Sequence, residues 1–169
     1  MEELDRLTVD QFKESSKIPV TIVLDNIRSQ HNIGSIFRTA DAFRIQSIHL
    51  CGITATPPNR EIQKTALGAT ESVAWKYHQT TIDSIRELKQ EGYYIVAIEQ
   101  ADESVNVSDF KPDIYNKIAL VFGNEVHGVD EEVMENCDGC IEIPQHGTKH
   151  SLNVSVAAGI VIWEIFTKF

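Results

Sequence analysis

Residues 117–129 read KIALVFGNEVHGV. Ile118 to Phe122 form an unbroken apolar run that stops at Gly123-Asn124-Glu125, with Gly128 close behind. A run that short, closed by a glycine, predicts a buried strand. A strand apolar on both faces belongs to a parallel sheet covered on both sides. YYIVAIEQ (93–100) is a second run of the same kind. Ligands of such sheets bind beyond the carboxyl ends of the strands. Gly123, which lets backbone approach a ligand, and Glu125, an acid just past a core strand, are therefore the first candidates. Glu125 is either an exposed loop acid or a carboxylate held by an arginine or a helix cap.

Outward from this stretch the pattern alternates. VTIVLDNI (20–27), SIHLCGI (47–53), SVAWKYH (72–78) and GCIEIPQ (139–145) also read as strands. Apolar residues at helical spacing mark NIGSIFRTADAF (32–43), and REIQKTALGA (60–69) follows the chain break at TPPN (56–59). TIDSIRELKQEG (81–92) opens on a Thr or Asp cap and closes on Gly92. VDEEVMENC (129–137) and LNVSVAAGIVIWEIF (152–166) complete the helices. Six strands alternating with helices predict an α/β fold: a mostly parallel six-stranded sheet with helices on both faces. The expected organisation is one domain over 20–169 after a lead of residues 1–19, with no repeat or long linker. The last helix is apolar nearly all round and needs cover on every face, which points to a homodimer built through it.

Composition bounds the function. The chain has 169 residues, 42% of them apolar, enough for one domain with a sizeable core. Its formal charge of −10 gives no general attraction to nucleic acid. Residues 26–64 depart from this, with Arg28, Arg38, Arg44, Arg60 and Lys64 against only Asp41 and Glu61. That window is either scattered solvated charge or a local surface for an anion. No apolar run approaches the roughly 20 residues a bilayer span requires, so no membrane association is expected. The acidic start, MEELDRLTVDQF, carries no export signal, and three cysteines do not make a disulfide framework. A cytoplasmic location is the expectation.

The common nucleotide and hydrolase fingerprints are missing: neither G-x-G-x-x-G after a strand, nor a P-loop, nor H-E-x-x-H, nor G-x-S-x-G occurs. Cys137, Cys140, His146 and His150 fall in a C-x₂-C-x₅-H-x₃-H string. Zinc fingers use a spacer of about 12 residues, and here IEIPQ reads as a strand leaving the motif, so no metal is expected.

Two further segments hold polar residues that a core would not choose. In HNIGSIFRTAD (31–41), Asn32 can cap the helix and Gly34 permits close approach to its first turn. Arg38 is either solvated or binds an anion near the helix N-terminus. In IPQHGTKHSLNVSVAAGI (143–160), Ser151 reads as an N-cap, which puts Asn153 in the first turn of a buried helix. A buried amide must be hydrogen-bonded, here to a neighbouring loop or to a site.

Taken together, HNIGSIFRTAD, LVFGNEVHGV and IPQHGTKHSLNVSVAAGI resemble motifs 1, 2 and 3 of the SpoU (TrmH-like) branch of the SPOUT RNA methyltransferases. They stand in that family's order and spacing, over residues 20 to about 166. The resemblance implies an α/β domain with a deep C-terminal trefoil knot, a homodimer packed knot to knot, and S-adenosylmethionine bound by the knot loops. It implies methyl transfer to a ribose 2′-oxygen of tRNA or rRNA. By motif, Arg38 resembles the catalytic arginine, Asn32 the motif 1 asparagine, Glu125 the motif 2 glutamate, and Ser151 and Asn153 the motif 3 pair. Largely backbone cofactor contacts would fall on Ile98, Glu99, Gly123, Ile143 and Leu152.

The chemistry suits these residue types. A methyl on a sulfonium needs in-line placement and no metal. Arg38, aided by an RNA phosphate, would activate the 2′-hydroxyl or position it, since a guanidinium pKa lies above about 12. Where the tRNA-specific members carry basic helical extensions, the lead before Val20 is short and acidic. RNA contact is then expected from the 26–64 window of both subunits, with Lys149. A non-catalytic RNA- or cofactor-binding module on this fold and a small-molecule methyltransferase are the alternative readings.

Overall fold

The computed structural model describes residues 7–149 and 151–169. Its strands are β1 (Ile18–Asp25), β2 (Ile45–Cys51), β3 (Trp75–His78), β4 (Tyr94–Ile98), β5 (Val105–Asn106), β6 (Ile118–Phe122) and β7 (Gly139–Glu142). They form one sheet in the order β3-β2-β1-β6-β4-β7-β5, and every strand pairing is parallel. Among the described residues the sheet has seven strands rather than the expected six. The extra one, β5, is two residues held on the edge of β7, too short to leave a periodic signal.

The helices are α1 (Val9–Glu14), α2 (Gln30–Ala42), α3 (Arg60–Ala66), α4 (Ala69–Ser72), α5 (Thr81–Gln90), α6 (Glu131–Glu135) and α7 (Val154–Phe166). The α/β class and the two covered faces follow directly from the central strands. On β6, Ile118, Leu120 and Phe122 join the core that includes residues of α2, α3 and α7, while Ala119 and Val121 join the core with residues of α5 and α6. On β1, Val20, Ile22 and Leu24 face the first core and Val23 the second. Alternate side chains of a strand point to opposite faces, so two apolar layers demand an unbroken apolar run. Because β7 is reached from β6 by crossing β4, the loops after β4, β6 and β7 meet at one end of the sheet.

Local chemistry differs from expectation at three helix starts. Ser29, not Asn32, caps α2 by accepting from the Asn32 N–H, which leaves the Asn32 amide free. Asn153, not Ser151, caps α7, accepting from the N–H groups of Ser155 and Val156; it is exposed rather than buried. Thr80, one residue before the expected Thr, caps α5. The 60–69 helix also breaks, because Leu67 and Gly68 both take left-handed backbone. Within the lead before Val20, α1 places Phe12 in the main core.

Gly34 does admit a close neighbour, and the neighbour is α3. A β-carbon there would overlap Thr65 Oγ1 and the Ile62 carbonyl. The α2–α3 pair can approach this closely only over a glycine. On α7, Val154, Ala158, Val161, Ile162 and Ile165 are buried. Val156, Ile160 and Trp163 remain 50%, 39% and 54% exposed. Their i, i+4, i+7 spacing makes one apolar stripe on the outer side of the helix. No helix among the described residues is long and apolar enough to cross a membrane.

On a free helix, glycine to alanine stabilises by roughly 1 kcal/mol. Gly34→Ala should do the opposite here and cost about 1–3 kcal/mol through overpacking against α3, as read by urea unfolding monitored by circular dichroism.

Candidate functional site

A pocket of about 630 Å3 opens where the loops after β4, β6 and β7 converge with the segment leading into α7. Ile98 and Glu99 line it from β4, Gly123 from β6, Ile143 from beyond β7 and Leu152 from the lead into α7. All five residues expected to contact a cofactor thus share one cavity. Glu125, Ser151 and Asn153 line it as well. Its volume falls within the range of about 300–1,000 Å3 typical of small-molecule sites.

The loop after β6 is shaped by its own hydrogen bonds. Asn124 and Gly128 exchange two backbone bonds of 2.9 Å, folding the chain back over Gly123. A β-carbon on Gly123 would run into the Gly128–Val129 backbone, so this glycine is required by the fold-back itself. Gly128 has φ +71° and lies against the Glu99 carboxylate, which accepts from the N–H of Val129 at 3.1 Å and of Gln100 at 3.0 Å. The Asn124 side chain accepts from the N–H groups of Val126 and His127 and donates to the Asn26 carbonyl at 2.7 Å.

Glu125 is then held across the pocket mouth. Its carboxylate accepts from the backbone N–H of Arg28 at 2.9 Å and of Ser29 at 3.0 Å, and from Asn32 Nδ2 at 3.3 Å. Its partners are thus the start of α2 and an amide, not an arginine side chain. Partial burial alone would raise its pKa; the donors of Arg28, Ser29 and Asn32 outweigh that and hold the carboxyl below its ordinary value. The ionised carboxylate orients its neighbours. Asn32 must turn its NH₂ to Glu125, so its Oδ1 faces Asn153 and accepts from Asn153 Nδ2 at 3.1 Å. Asn153 in turn keeps its oxygen for the Ser155 and Val156 N–H groups at the start of α7. One polarised chain, Glu125–Asn32–Asn153, therefore links three segments far apart in sequence.

Of the five expected catalytic residues, Asn32, Glu125 and Asn153 form this chain, and Ser151 lies beside it on the pocket wall. Arg38 stands apart. It is exposed on an outward stripe of α2 with His31 and Ala42, lines no part of the pocket, and has no salt bridge among the described residues.

Two residues escaped the sequence reading. Asp25, 1% exposed at the end of β1, accepts from Thr81 Oγ1 at 2.5 Å, Asn26 Nδ2 at 3.0 Å and the Asp130 N–H at 3.2 Å. It ties the starts of α5 and α6 to the central strand. Asn26, with φ +54°, accepts from the Ile53 N–H and receives Asn124. The signal was present: Asp-Asn closes an apolar strand here just as Gly-Asn-Glu closes β6.

A parallel, doubly covered sheet with a nucleoside-sized pocket among its carboxyl-end loops defines a cofactor-binding α/β domain. Comparison narrows the class. Residues 19–163 match the SpoU rRNA methylase family, and the chain belongs to that family. It is 34% identical over 155 residues to the 23S rRNA (guanosine-2′-O-)-methyltransferase RlmB of Neisseria meningitidis, covering 92% of this chain and 61% of that one. Its fold superposes on the TrmH/SpoU tRNA modifying enzyme of A. aeolicus with a TM-score of 0.83 at 29% identity, covering 95% of this chain and 80% of that one. The AdoMet-bound rRNA methyltransferase of Sinorhizobium meliloti gives a TM-score of 0.82 at 29% identity, over 93% of this chain and 58% of that one. The chain spans less than two thirds of the length of the curated relatives it matches, 61–64% in the first three.

Because the folded-state pKa of Glu125 is depressed, its stabilisation is present above the ordinary carboxylate range and lost as pH falls through the folded value. Glu125→Gln should lower stability at pH 7 by on the order of 1–3 kcal/mol. It should also weaken the acid-side dependence of unfolding, compared by urea melts at neutral and acidic pH.

Proposed function

We propose that this chain is an S-adenosylmethionine-dependent methyltransferase acting on a ribose 2′-oxygen of tRNA or rRNA, with residues 20–169 as the methyltransferase domain and 1–19 as its lead. The observation that carries the reading is the Glu125–Asn32–Asn153 chain at the mouth of a pocket lined by Ile98, Glu99, Gly123, Ile143 and Leu152. Family membership, the RlmB relative and the AdoMet-bound neighbour support it. The knot that the family implies belongs to the same reading, as does a cytoplasmic place beside the RNA.

The pocket fits the cofactor in size and in its loop-built walls, which combine apolar Ile98, Ile143 and Leu152 with Gly123 and the polar residues Glu99 and Ser151. S-adenosylmethionine supplies there an electrophilic methyl on a sulfonium. The chain's own residues do the rest. Glu125 and Asn32 keep the pocket mouth in register, and Asn153 ties it to α7. Arg38, exposed and without a carboxylate partner among the described residues, grips the ribose-phosphate and favours the 2′-oxygen as its proton leaves to phosphate or water.

One chain does not bring Arg38 to its own pocket, and the proposal therefore includes a homodimer. The stripe of Val156, Ile160 and Trp163 is the apolar surface for it. Since α2 packs beside α7, pairing through α7 carries the partner's Arg38 toward the pocket mouth. Arg28, Arg38, Arg44, Arg60 and Lys64 are all exposed and supply phosphate contacts that the −10 charge of the whole chain does not.

Arg38→Ala should cut methyl transfer to RNA by about 10²–10³-fold while calorimetry shows cofactor affinity near that of the unmodified chain; near-normal turnover would sink the role. The assay should run total tRNA, rRNA and small hydroxyl compounds side by side with radiolabelled cofactor. Transfer to small molecules only, or none at all, would replace the proposal with one of its alternatives. Ile160→Glu with Trp163→Glu should yield a monomer by light scattering and lose transfer as well.

A further inference from the structure

Outside the pocket, three side chains with metal-ligating atoms come together on the α5 side of the sheet: His49 on β2, His78 at the end of β3 and Glu87 on α5. One ligand atom from each lies within 4.8 Å of the others. Both histidines are buried, 5% and 7% exposed, and their rings lie 4.6 Å apart at 32°. His49 Nδ1 is 2.7 Å from Ser84 Oγ, which sets the ring and leaves Nε2 as its free nitrogen. His78 Nε2 is buried with no hydrogen-bond partner, the one such side-chain atom among the described residues. A buried polar atom left unpaired is costly, and native folds rarely keep one without a use. Glu87 closes the cluster at its exposed rim, where Lys76 Nζ sits 2.5 Å from its carboxylate.

We propose that His49, His78 and Glu87 form a divalent transition-metal site, most suited to Zn2+, that staples the edge strand β3 to β2 and α5. Two imidazoles and one carboxylate are a zinc donor set, whereas Mg2+ and Ca2+ take oxygen ligands. Three protein ligands leave the fourth position for water. Zinc–ligand distances of about 2.0–2.2 Å place tetrahedral ligand atoms roughly 3.4 Å apart. The side chains reach that spacing by closing on the ion, with Glu87 exchanging an exposed ion pair, a weak competitor, for the metal. The Ser84 contact supplies the outer-shell hydrogen bond that metal-bound histidines usually have. Burial pushes His49 down to about 4 and His78 below its usual value, so both rings are neutral, the form that metals bind.

The site is separate from methyl transfer, since none of its residues lines the pocket. It is separate too from the C-x-x-C pair. The Cys137 and Cys140 thiols donate to the carbonyls of Val133 and Glu99, and burial pushes the Cys137 thiol up to about 12, away from the thiolate a metal requires.

The test uses the full chain, stripped with chelator and titrated with Zn2+ by calorimetry and with Co2+ by visible absorption. The expected result is one ion per chain, a rise in Tm, and cobalt bands without thiolate charge transfer. His78→Gln and Glu87→Gln, each checked for folding by circular dichroism, should each weaken binding at least about tenfold, while Cys137→Ser with Cys140→Ser leaves it unchanged. Should His78→Gln misfold, Glu87→Gln on the exposed rim decides alone. Absence of saturable binding, binding unaffected in the folded histidine and glutamate variants, or loss confined to the cysteine variant would overturn the site.

Discussion

The Glu125 carboxylate is the interaction on which the rest of the site depends. It sits just past the central strand β6 and receives two backbone N–H groups at the start of α2 and the amide of Asn32. Charge-assisted bonds of this kind are roughly twice as strong as neutral ones. Here they also carry information: because a carboxylate only accepts, Asn32 must donate to it and accept from Asn153, and Asn153 must accept from the first N–H groups of α7. One charge thereby orients two amides and docks the last helix. The apolar packing of α2 against α7 brings Asn32 and Asn153 together, and the Glu125 chain then fixes the geometry of the pocket mouth.

The glycines mark where this arrangement is tightest. Gly123 exists because the chain turns back over itself between Asn124 and Gly128, and Gly34 because α3 crosses α2 at that point. By sequence, Gly123 suits backbone contact with a ligand and Gly34 a close neighbour at the first turn of α2. At Gly34 the neighbour is the Thr65 side chain and the Ile62 carbonyl of α3; at Gly123 it is the Gly128–Val129 backbone, and Gly123 lines the pocket as well. Motif residues can thus be shared by folding and by function, with the same atoms serving both.

A different lesson comes from the β2–β3–α5 side. Its histidines sit in strands, far apart in sequence and in no spaced motif, while the C-x-x-C string that looked like a metal motif holds its thiols in ordinary hydrogen bonds. Ligand spacing along the chain reports local metal motifs only. A site assembled from neighbouring parallel strands and a helix leaves no regular interval, because the crossovers between parallel strands vary in length.

The sequence by itself determined the layer architecture and most of the pocket. Apolar runs in 94–98 and 118–122, and in 20–24 with Thr21 as the single polar residue, require a sheet covered on both faces, and Gly-Asn-Glu at a strand end marks the edge that opens into the pocket. The resemblance pointed to Gly123, Ile143 and Leu152 from the motif segments and to Ile98 and Glu99 from the end of β4, and the five share one cavity. What it could not decide were the caps, the seventh strand and the partners of single polar groups. Asn153 rather than Ser151 caps α7, and Asn32 is free because Ser29 caps α2. Those outcomes depend on which of several adjacent polar side chains meets an orphan N–H after the helices dock. Hydrophobic periodicity is written along the chain, whereas the choice among neighbouring hydrogen-bond partners is made only once residues some hundred positions apart come within hydrogen-bond reach of each other.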